Sequence, residues 1–300
     1  MTAFNRPTSL TNTLQALRQA DLIEDYRILI SVDGGPHADH EGIHEVVVTF
    51  DDLEIEIIYQ DENLGCAGNT GWILTHAFAD STVQDIIFID DSTQVASDAL
   101  HYFRTCLDRY REDERVFAVN GYNRRGSNDL LSTYSLCNNH MERGDPARIF
   151  LSDYFICAGW AIWRRIWEEL EESEIGWFGT HLCSHPHDDK PWMWEHIGRN
   201  HADPTGSWAF PFNFYWRAQR AVVSPDVARV QDGCTAAAEW ARGFSMTDAF
   251  ALNYVFSEYW MGDGYHEPPT EYIFEDECVI PSPLKVDLVH TPAIIHDDSI

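Results

Sequence analysis

Two adjacent carboxylates, Asp90 and Asp91, directly follow a run of apolar residues from Ile86 to Ile89. An apolar run bounded by polar residues predicts a buried strand, with the two carboxylates at its carboxyl end. Asp33 follows the apolar segment ILISV in the same way. Because ligands of open α/β sheets bind at the carboxyl ends of strands, the three aspartates indicate one crevice that could hold a divalent cation and nucleotide phosphates. The alternative is that they belong to ordinary turns or helix N-caps.

Strands and helices alternate in the segments that must position these side chains. Leu10, Leu14 and Leu17 share one helical face, which predicts a helix that begins after Pro7 and Thr8. Strand patterns occur in YRILISV, EVVVTF, LEIEIIYQ, IIFIDD and VFAVNGYN, and helical patterns occur at 72–79, at 98–110, near AIWRRIWEELEES and at 246–260. This alternation predicts an α/β fold with a largely parallel sheet and crossover helices.

The chain is strongly acidic, with a formal net charge of −29 and lysines only at positions 190 and 285. Such a surface repels phosphate backbones and anionic membranes, so we expect no nucleic-acid partner and a local positive site for any anionic ligand. Excess carboxylate with scarce lysine is what we expect of a salt-adapted, halophilic cytoplasm. No apolar run is long enough to span a membrane, and the segment MTAFNRPTSL lacks the pattern of a signal peptide. These features predict a soluble, cytoplasmic protein.

Several segments resemble, in the same order, motifs of the N-acetylglucosaminyltransferase I family. They are NRPTSLTNTLQAL, ILISVDGG, the Asp-Asp strand with QVASDALHYF, SDYFICAGWAIWRRIWEEL and SPDVARV. That family consists of inverting glycosyltransferases with the GT-A fold, a Rossmann-like, mostly parallel central sheet flanked by helices. The resemblance implies one GT-A domain over 1–300, with a nucleotide-sugar-binding half (1–120), an acceptor-binding half (121–235) and a C-terminal extension (236–300).

The resemblance also implies roles for residues at the strand ends. Arg6 and Asp33 would contact the uridine diphosphate of a UDP-sugar. The Glu-Asp-Asp motif of the family falls on Asp90, Asp91 and Ser92, so Ser92 replaces the carboxylate that binds manganese directly. We expect one of two outcomes. Either Asp91 binds Mn²⁺ or Mg²⁺, with Ser92 or water at another coordination position of the metal, or the protein depends only weakly on a divalent cation.

Three further residues match positions that face the nucleotide sugar or the acceptor in the family. Asn69, in GNTGW, falls where the family contacts the nucleotide sugar, although a turn or cap residue is an equal alternative. Gly159 and Trp160 match a Gly-Trp pair at the floor of the acceptor side. A glycine there permits close backbone approach. For the tryptophan, core packing is the favoured interpretation and stacking on a sugar ring is the alternative.

The catalytic base of the family is an acidic residue just before a Trp-Met pair, and here the segment reads HDDKPWMWEH. Asp189 is the nearest match, with Asp188 and Glu195 as rivals. A helix N-cap is the alternative role for either aspartate. Such a base would remove the proton from the acceptor hydroxyl during a single displacement.

A zinc site is a competing interpretation of the preceding residues, since His181, Cys183, His185 and His187 alternate. Zinc ligands in structural sites are usually grouped in two well-separated pairs, which disfavours this reading. The seven cysteines contain no CxxC pair, so reduced core thiols are expected. His290 and His296 are weaker candidates for closing a metal site.

The resemblance predicts an enzyme that transfers a sugar, with GlcNAc the first candidate, from a UDP-sugar to a hydroxyl of a glycan, glycolipid or glycoprotein precursor. Two alternatives remain open at this stage. One is a carbohydrate-binding protein without activity on a GT-A scaffold, and the other is a sugar-phosphate nucleotidyltransferase. The latter usually has a Gly-rich, basic signature near its N-terminus, and no such signature occurs in this sequence.

Overall fold

The computed structural model describes residues 1–121, 147–152, 159–172, 221–225, 229–232 and 269–280 of the chain. In order, the helices and strands of these ranges are β1 (Thr2–Ala3), α1 (Pro7–Arg18), β2 (Ile28–Val32), α2 (His40–Val47), β3 (Ile55–Tyr59), α3 (Gly65–Phe78), β4 (Asp85–Phe88), β5 (Thr93–Val95), α4 (Ala99–Arg109), β6 (Val116–Asn120), β7 (Arg148–Ser152), β8 (Trp160–Trp163), α5 (Arg164–Glu172), β9 (Ala221–Pro225), β10 (Val230–Asp232) and β11 (Ile273–Ile280). Within this part of the chain, no helix has both the length and the apolar character that crossing a membrane requires.

Among the described residues the strands form three sheets: the two larger ones meet at β1, and β10 and β5 form a separate antiparallel pair. Strands β1, β2 and β3 make a parallel sheet in that order, and a parallel bridge between Thr2 and Asp90 connects β1 to the chain just after β4. Strand β4 is the edge of a six-stranded sheet with the order β11-β7-β9-β6-β8-β4. From the pairing, β1, β2, β3, β4, β6 and β9 point in one direction, whereas β7, β8 and β11 point in the other. The predicted α/β fold with a mostly parallel sheet and flanking helices is confirmed.

Helix α1 is the element that fixes the first strand ends. Pro7 occupies its first turn, where the missing N–H group costs nothing. The predicted apolar face is confirmed, because Leu10, Leu14 and Leu17 are all buried. The helix packs against α2 and against β5, which follows Asp91 along the chain. Burial of this leucine face therefore holds the residues just before α1 close to the end of β4.

The segment EVVVTF was predicted as a strand, and this was wrong because its first residues end helix α2. Asp39 caps this helix with its side chain, and Ile43 and Val47 are buried four residues apart on one face. Val48 is 57% exposed. The helical period thus begins before the three consecutive valines, and burial of one face outweighs the preference of β-branched residues for strands.

The remaining strand and helix predictions vary in accuracy. Strands β2, β3, β4 and β6 and helix α4 lie where the sequence predicts them. Helix α3 begins at Gly65, earlier than the predicted range 72–79. The helix predicted near AIWRRIWEELEES begins only at Arg164, because the preceding residues form β8, which is buried between β4 and β6. The helix predicted at 246–260 lies outside the described residues.

Leu14→Ala tests whether the leucine face of α1 holds the fold as described. Leu14 is fully buried, so its truncation should lower the free energy of unfolding by about 2–5 kcal/mol. Alanine is a good helix former, so the loss reports packing rather than helix propensity. Val48→Ala on α2's exposed end is the matched control and should cost less than about 0.5 kcal/mol. Urea unfolding curves give both values, and equal losses would contradict this packing.

Candidate active site at the strand ends

The two carbonyl groups of β1 bring the candidate residues together. The oxygen of Ala3 accepts a hydrogen bond from the backbone N–H of Asp33 at 2.8 Å, and the oxygen of Thr2 accepts one from that of Asp91 at 3.1 Å. Asp33 follows β2 and Asp91 follows β4, so the two aspartates lie on either side of β1. Arg6 lies between β1 and α1. The carboxyl ends of three parallel strands therefore converge, as the sequence predicts for a ligand-binding crevice.

Arg6 and Asp91 form an ion pair across this crevice. The guanidinium contacts both carboxylate oxygens, through Nη2 to Oδ1 and through Nε to Oδ2, the latter at 3.4 Å. Side-chain exposure is 39% for Arg6 and 1% for Asp91. Asp91 therefore serves as a buried anchor, and the Arg6 side chain is partly exposed at the surface of the crevice. Planar guanidinium groups bind phosphate in the same two-pronged way that they bind carboxylate.

Burial dominates the electrostatics of Asp91. Loss of solvent raises the pKa of this carboxyl to about 6, the Arg6 guanidinium opposes the rise, and the neighbouring charge of Asp90 adds to it. The backbone N–H of Phe4 also donates a hydrogen bond to the carboxylate. The side chain of Thr13, on the buried face of α1, donates to the backbone oxygen of Asp91 at 3.1 Å. Asp91 is thus held by groups that precede and begin α1.

Asp90 closes the turn that follows β4. Its Oδ1 accepts hydrogen bonds from the backbone N–H of Ser92 (2.9 Å), from the Ser92 hydroxyl (2.8 Å) and from the Thr93 hydroxyl (2.9 Å). Asp90 therefore shapes the loop in the manner of an Asx turn. The same bonds fix the position of Ser92, the residue that replaces a carboxylate of the family motif.

The residues predicted to hold a cation do not fit a manganese site in this arrangement. The Asp91 carboxylate is paired with Arg6, and the Ser92 hydroxyl donates its proton to Asp90. Divalent manganese requires several oxygen ligands whose lone pairs are directed at the metal. Among the described residues, no group of three or more His, Cys, Asp or Glu side chains could hold a metal ion.

Asp33 supports the loop beside the crevice. Its Oδ1 accepts hydrogen bonds from the backbone N–H groups of Gly34 (3.0 Å) and Leu64 (2.7 Å), so it joins the end of β2 to the start of α3. A Cβ atom at Gly34 would lie 2.4 Å from the backbone oxygen of Gln60. Only glycine fits there. Asp33 is 5% exposed, and its contact with the diphosphate stays a prediction.

Asn69 lies on α3 and faces β2. Its Oδ1 accepts a hydrogen bond from the Ser31 hydroxyl at 2.5 Å, and its Nδ2 donates to the Ser31 backbone oxygen at 3.1 Å. The side chain is 1% exposed. This geometry corresponds to a residue that ties a helix to a strand, and the predicted contact of Asn69 with the nucleotide sugar stays a prediction.

Gly159 and Trp160 lie at the start of β8. Gly159 has a positive φ of +60°, and a Cβ there would meet Val230 at 2.6 Å. The close approach expected at this glycine is therefore made by a valine of β10. Trp160 is 3% exposed and stacks on Phe88, with the ring centroids 5.1 Å apart. Core packing, the favoured interpretation for this tryptophan, agrees with these contacts.

Several predicted residues lie outside the described part of the chain. These are the candidate bases Asp188, Asp189 and Glu195, the alternating set His181, Cys183, His185 and His187, and the late histidines His290 and His296. Their roles stay predictions. Sequence reasoning did not single out Thr13. The signal was present, because Thr13 lies between Leu10, Leu14 and Leu17 on a helical face that is otherwise apolar.

A cavity of about 490 Å³ lies at the opposite ends of the same strands. It is lined by Met1, by Leu29 of β2, by Ile86 and Ile87 of β4 and by Leu107 of α4, among others. Burial lowers the pKa of the Met1 amino group to about 5. This cavity is at the amino ends of β2 and β4, so it is distinct from the crevice that contains Arg6 and Asp91.

Comparison of the wild type with Asp91→Asn tests the burial of Asp91. The pKa of Asp91 in the folded state, about 6, is above its unfolded value. The native state therefore binds more protons in the window between the two values, and stability falls as pH rises through it. Relative to Asp91→Asn, the wild type should lose about 2–3 kcal/mol of unfolding free energy from about pH 4 to about pH 7.

Urea unfolding at constant salt gives this difference at each pH. The variant Arg6→Met should raise the pKa of Asp91 further, because the guanidinium opposes that rise. The pH range over which stability falls should then extend to higher pH. Arg104→Met, which removes an exposed ion pair with Asp25, should leave the window unchanged. A difference between wild type and Asp91→Asn that stays constant or grows with pH would contradict the arrangement.

Two solved structures align with most of the chain. The mannosyltransferase PcManGT from Pyrobaculum calidifontis, solved in complex with GDP-Man and Mn²⁺, is 15% identical with a TM-score of 0.42, and the alignment covers 87% of this chain and 68% of that one. S. aureus TarS is 10% identical with a TM-score of 0.46, over 87% of this chain and 70% of the other. Both similarities are distant.

At the level of sequence, the chain is 24% identical over 99 residues to the alpha-1,3-mannosyl-glycoprotein 2-beta-N-acetylglucosaminyltransferase of Arabidopsis thaliana. This match covers 33% of the chain but only 20% of the plant protein. The sequence profile of the GNT-I family matches residues 3–179, which is more than half of the chain. That range contains every strand end of the crevice, and the protein therefore belongs to the GNT-I family, a family of glycosyltransferases with the GT-A fold.

Proposed function

We propose that the protein is an inverting glycosyltransferase that takes a sugar from a UDP-sugar, with UDP-GlcNAc the first candidate donor. The observation that carries this proposal is the ion pair of accessible Arg6 with buried Asp91 at the converging strand ends. In a chain with a net charge of −29, a diphosphate needs a local cation. Arg6 supplies one at the edge where α/β sheets bind nucleotides. Membership of the GNT-I family supports the same reaction class.

The role of Arg6 follows from its geometry. A guanidinium that a carboxylate holds in place, on a side chain that is 39% exposed, can donate N–H groups to a phosphate oxygen that reaches it. Asp91 keeps Arg6 in place. As the bond between the sugar and the diphosphate breaks, negative charge grows on the leaving oxygen, and a preorganised cation stabilises it. Asp33 contributes by fixing the loop at Gly34 and Leu64.

The reaction is a single displacement at the anomeric carbon. A bond forms between the acceptor oxygen and this carbon, the bond from the carbon to the diphosphate oxygen breaks, and UDP leaves with the bonding electrons. The proton of the acceptor hydroxyl passes to a base. By its resemblance to the family, Asp189 is the proposed base, with Asp188 and Glu195 as the alternatives. The acceptor is proposed to be a glycan, glycolipid or glycoprotein precursor, by analogy with the glycoprotein named for the plant relative.

Binding of UDP-GlcNAc, measured by calorimetry, tests the donor site. Wild type should bind, and Arg6→Met should weaken binding at least tenfold, because hydrogen bonds to a charged group contribute about 1.5–3 kcal/mol. Arg104→Met is the matched control and should bind as the wild type does. Since Asp91 is paired with Arg6 and Ser92 replaces a carboxylate, Mn²⁺ should change the affinity less than about tenfold.

The outcomes of this titration separate the alternatives. No binding of any UDP-sugar, together with retained binding of free glycans, would favour a carbohydrate-binding protein. Turnover of a sugar phosphate with a nucleoside triphosphate would favour a nucleotidyltransferase. Binding that requires Mn²⁺ and is abolished by Asp91→Asn would contradict the role given to Arg6 and return Asp91 to the predicted role of metal ligand.

Single substitutions of the three acidic candidates test the base. Asp189→Asn should lower kcat about 10²–10⁴-fold, because this is the usual contribution of a general base. Its affinity for UDP-GlcNAc should remain that of the wild type. Asp188→Asn and Glu195→Gln serve as matched controls and should retain most of the activity. A large loss of kcat in either control, with Asp189→Asn active, would move the role to that residue.

A further inference from the structure

Arg229 and Asp98 form a buried ion pair away from the crevice. The guanidinium Nε lies 2.8 Å from Asp98 Oδ2, and both side chains are 0% exposed. Asp98 precedes α4 without capping it through its side chain. Taking both charges out of water is expensive, so such pairs are weak contributors to stability compared with apolar residues of similar volume. The role to test for this pair is therefore whether it fixes the positions of the segments around it, rather than how much stability it adds.

Two tyrosines surround the guanidinium. Its central carbon lies 5.6 Å from the ring centroid of Tyr102, and Tyr272, just before β11, forms a side-chain hydrogen bond with Arg229. Tyr102 in turn donates a hydrogen bond from its hydroxyl to the backbone oxygen of Asn120 at 2.7 Å. The Arg229 side chain therefore joins the start of α4 to the segment that enters β11, and through Tyr102 it is linked to the end of β6.

The backbone of Arg229 makes further connections. Its N–H donates to the oxygen of Gly121 at 2.7 Å, and its oxygen accepts from the N–H of Ala96 at 2.9 Å. The next residue, Val230, begins β10, which pairs antiparallel with β5 so that it lies opposite Val95. The backbone of Arg229 consequently extends the pairing of β10 with β5 by one residue and joins it to the end of β6.

Strand β5 starts at the turn that carries the candidate site. Thr93 is its first residue, and the hydroxyl of Thr93 donates to Asp90 in that turn. Strand β1 supports the other side of the same turn through the bond from the Asp91 N–H to Thr2. The turn therefore has β1, the residues before α1 and α1 itself on one side and the β5–β10 pair on the other, and Arg229 contacts only the second side.

We propose that Arg229 is a positioning residue for the donor site, acting through Asp98 and the β5–β10 pairing to hold the Asp90–Asp91 turn against Arg6. This inference rests on the proposed function, because it concerns binding of the UDP-sugar. The Arg229 side chain is fully buried, so it acts on the donor site indirectly. Its loss should therefore raise the KM for the donor and leave the KM for the acceptor unchanged.

The test replaces the whole pair by apolar residues, with Asp98→Leu and Arg229→Met combined. Single replacements leave an uncompensated buried charge and are expected to unfold the chain more easily, whereas the double replacement should keep a melting temperature near that of the wild type. In the double variant, the donor KM and the Kd for UDP-GlcNAc should rise at least tenfold. Arg229→Lys keeps the charge without the planar fork, so it should give an intermediate increase.

Backbone amide exchange adds a measurement that needs no ligand. In the double variant, the amides of residues 91–96 should exchange faster than in the wild type, while those of β2 and β3 should not change. Arg104→Met, on the exposed side of α4, is the control and should leave both KM values and the exchange unchanged.

The outcomes separate failure of the proposed function from failure of the positioning role. If the wild type binds no UDP-sugar, the proposed function is wrong and this inference falls with it. If the wild type binds normally and the stable double variant keeps its donor KM and its slow exchange at 91–96, only the positioning role is wrong. Donor KM and acceptor KM rising together would also contradict it, because a general loss of structure would affect both.

Discussion

The arrangement of the site depends on the burial of one carboxylate. Asp91 is almost completely removed from solvent, and in that environment a lone charge is costly. Arg6 is the cation that offsets this cost. The need for that pairing determines where the residues before α1 must lie, and it explains why a strand of only two residues is kept in register between β2 and β4. The burial of Asp91 and the accessibility of Arg6 are thus two aspects of the same contact.

The rest of the described structure acts as support for this contact from two sides. On one side, the leucine face of α1 and the carbonyls of β1 hold Arg6 and Asp91 together. On the other side, β10 pairs with β5, and Val230 packs over Gly159 where any larger residue would collide. Strands β8 and β10, from the later part of the chain, therefore pair with the strands on either side of the turn after β4.

The sequence predicts some elements well because their signals are local. Leu10, Leu14 and Leu17 show their shared face by spacing alone, and the apolar runs before Asp33 and Asp90 are bounded by turn residues. Helix α2 was mistaken for a strand because its three valines have strand preferences, whereas the cap and the buried face that decide the matter begin earlier. The same holds for β8, whose apolar residues continue directly into the helical pattern of α5.

The pairing within the site could not be predicted from spacing. Arg6 and Asp91 are 85 residues apart in the chain, and nothing in either local pattern indicates that they meet. The family resemblance pointed to both residues but gave them separate roles, one at the diphosphate and one at a metal. Likewise, Asp98 and Arg229 lie in segments whose partnership depends on the β5–β10 pairing. Long-range pairing of charges is a property of the assembled sheet, and local periodicity carries no information about it.

A crystal structure of the protein with UDP-GlcNAc is the measurement that tests the central claim most directly. We expect the diphosphate to lie at the carboxyl ends of β1 and β4, within hydrogen-bond distance of the Arg6 guanidinium, with Asp91 still paired to Arg6. A donor bound at the amino ends of the strands, in the cavity of about 490 Å³, would contradict the account. A diphosphate that makes no contact with Arg6 would contradict it equally.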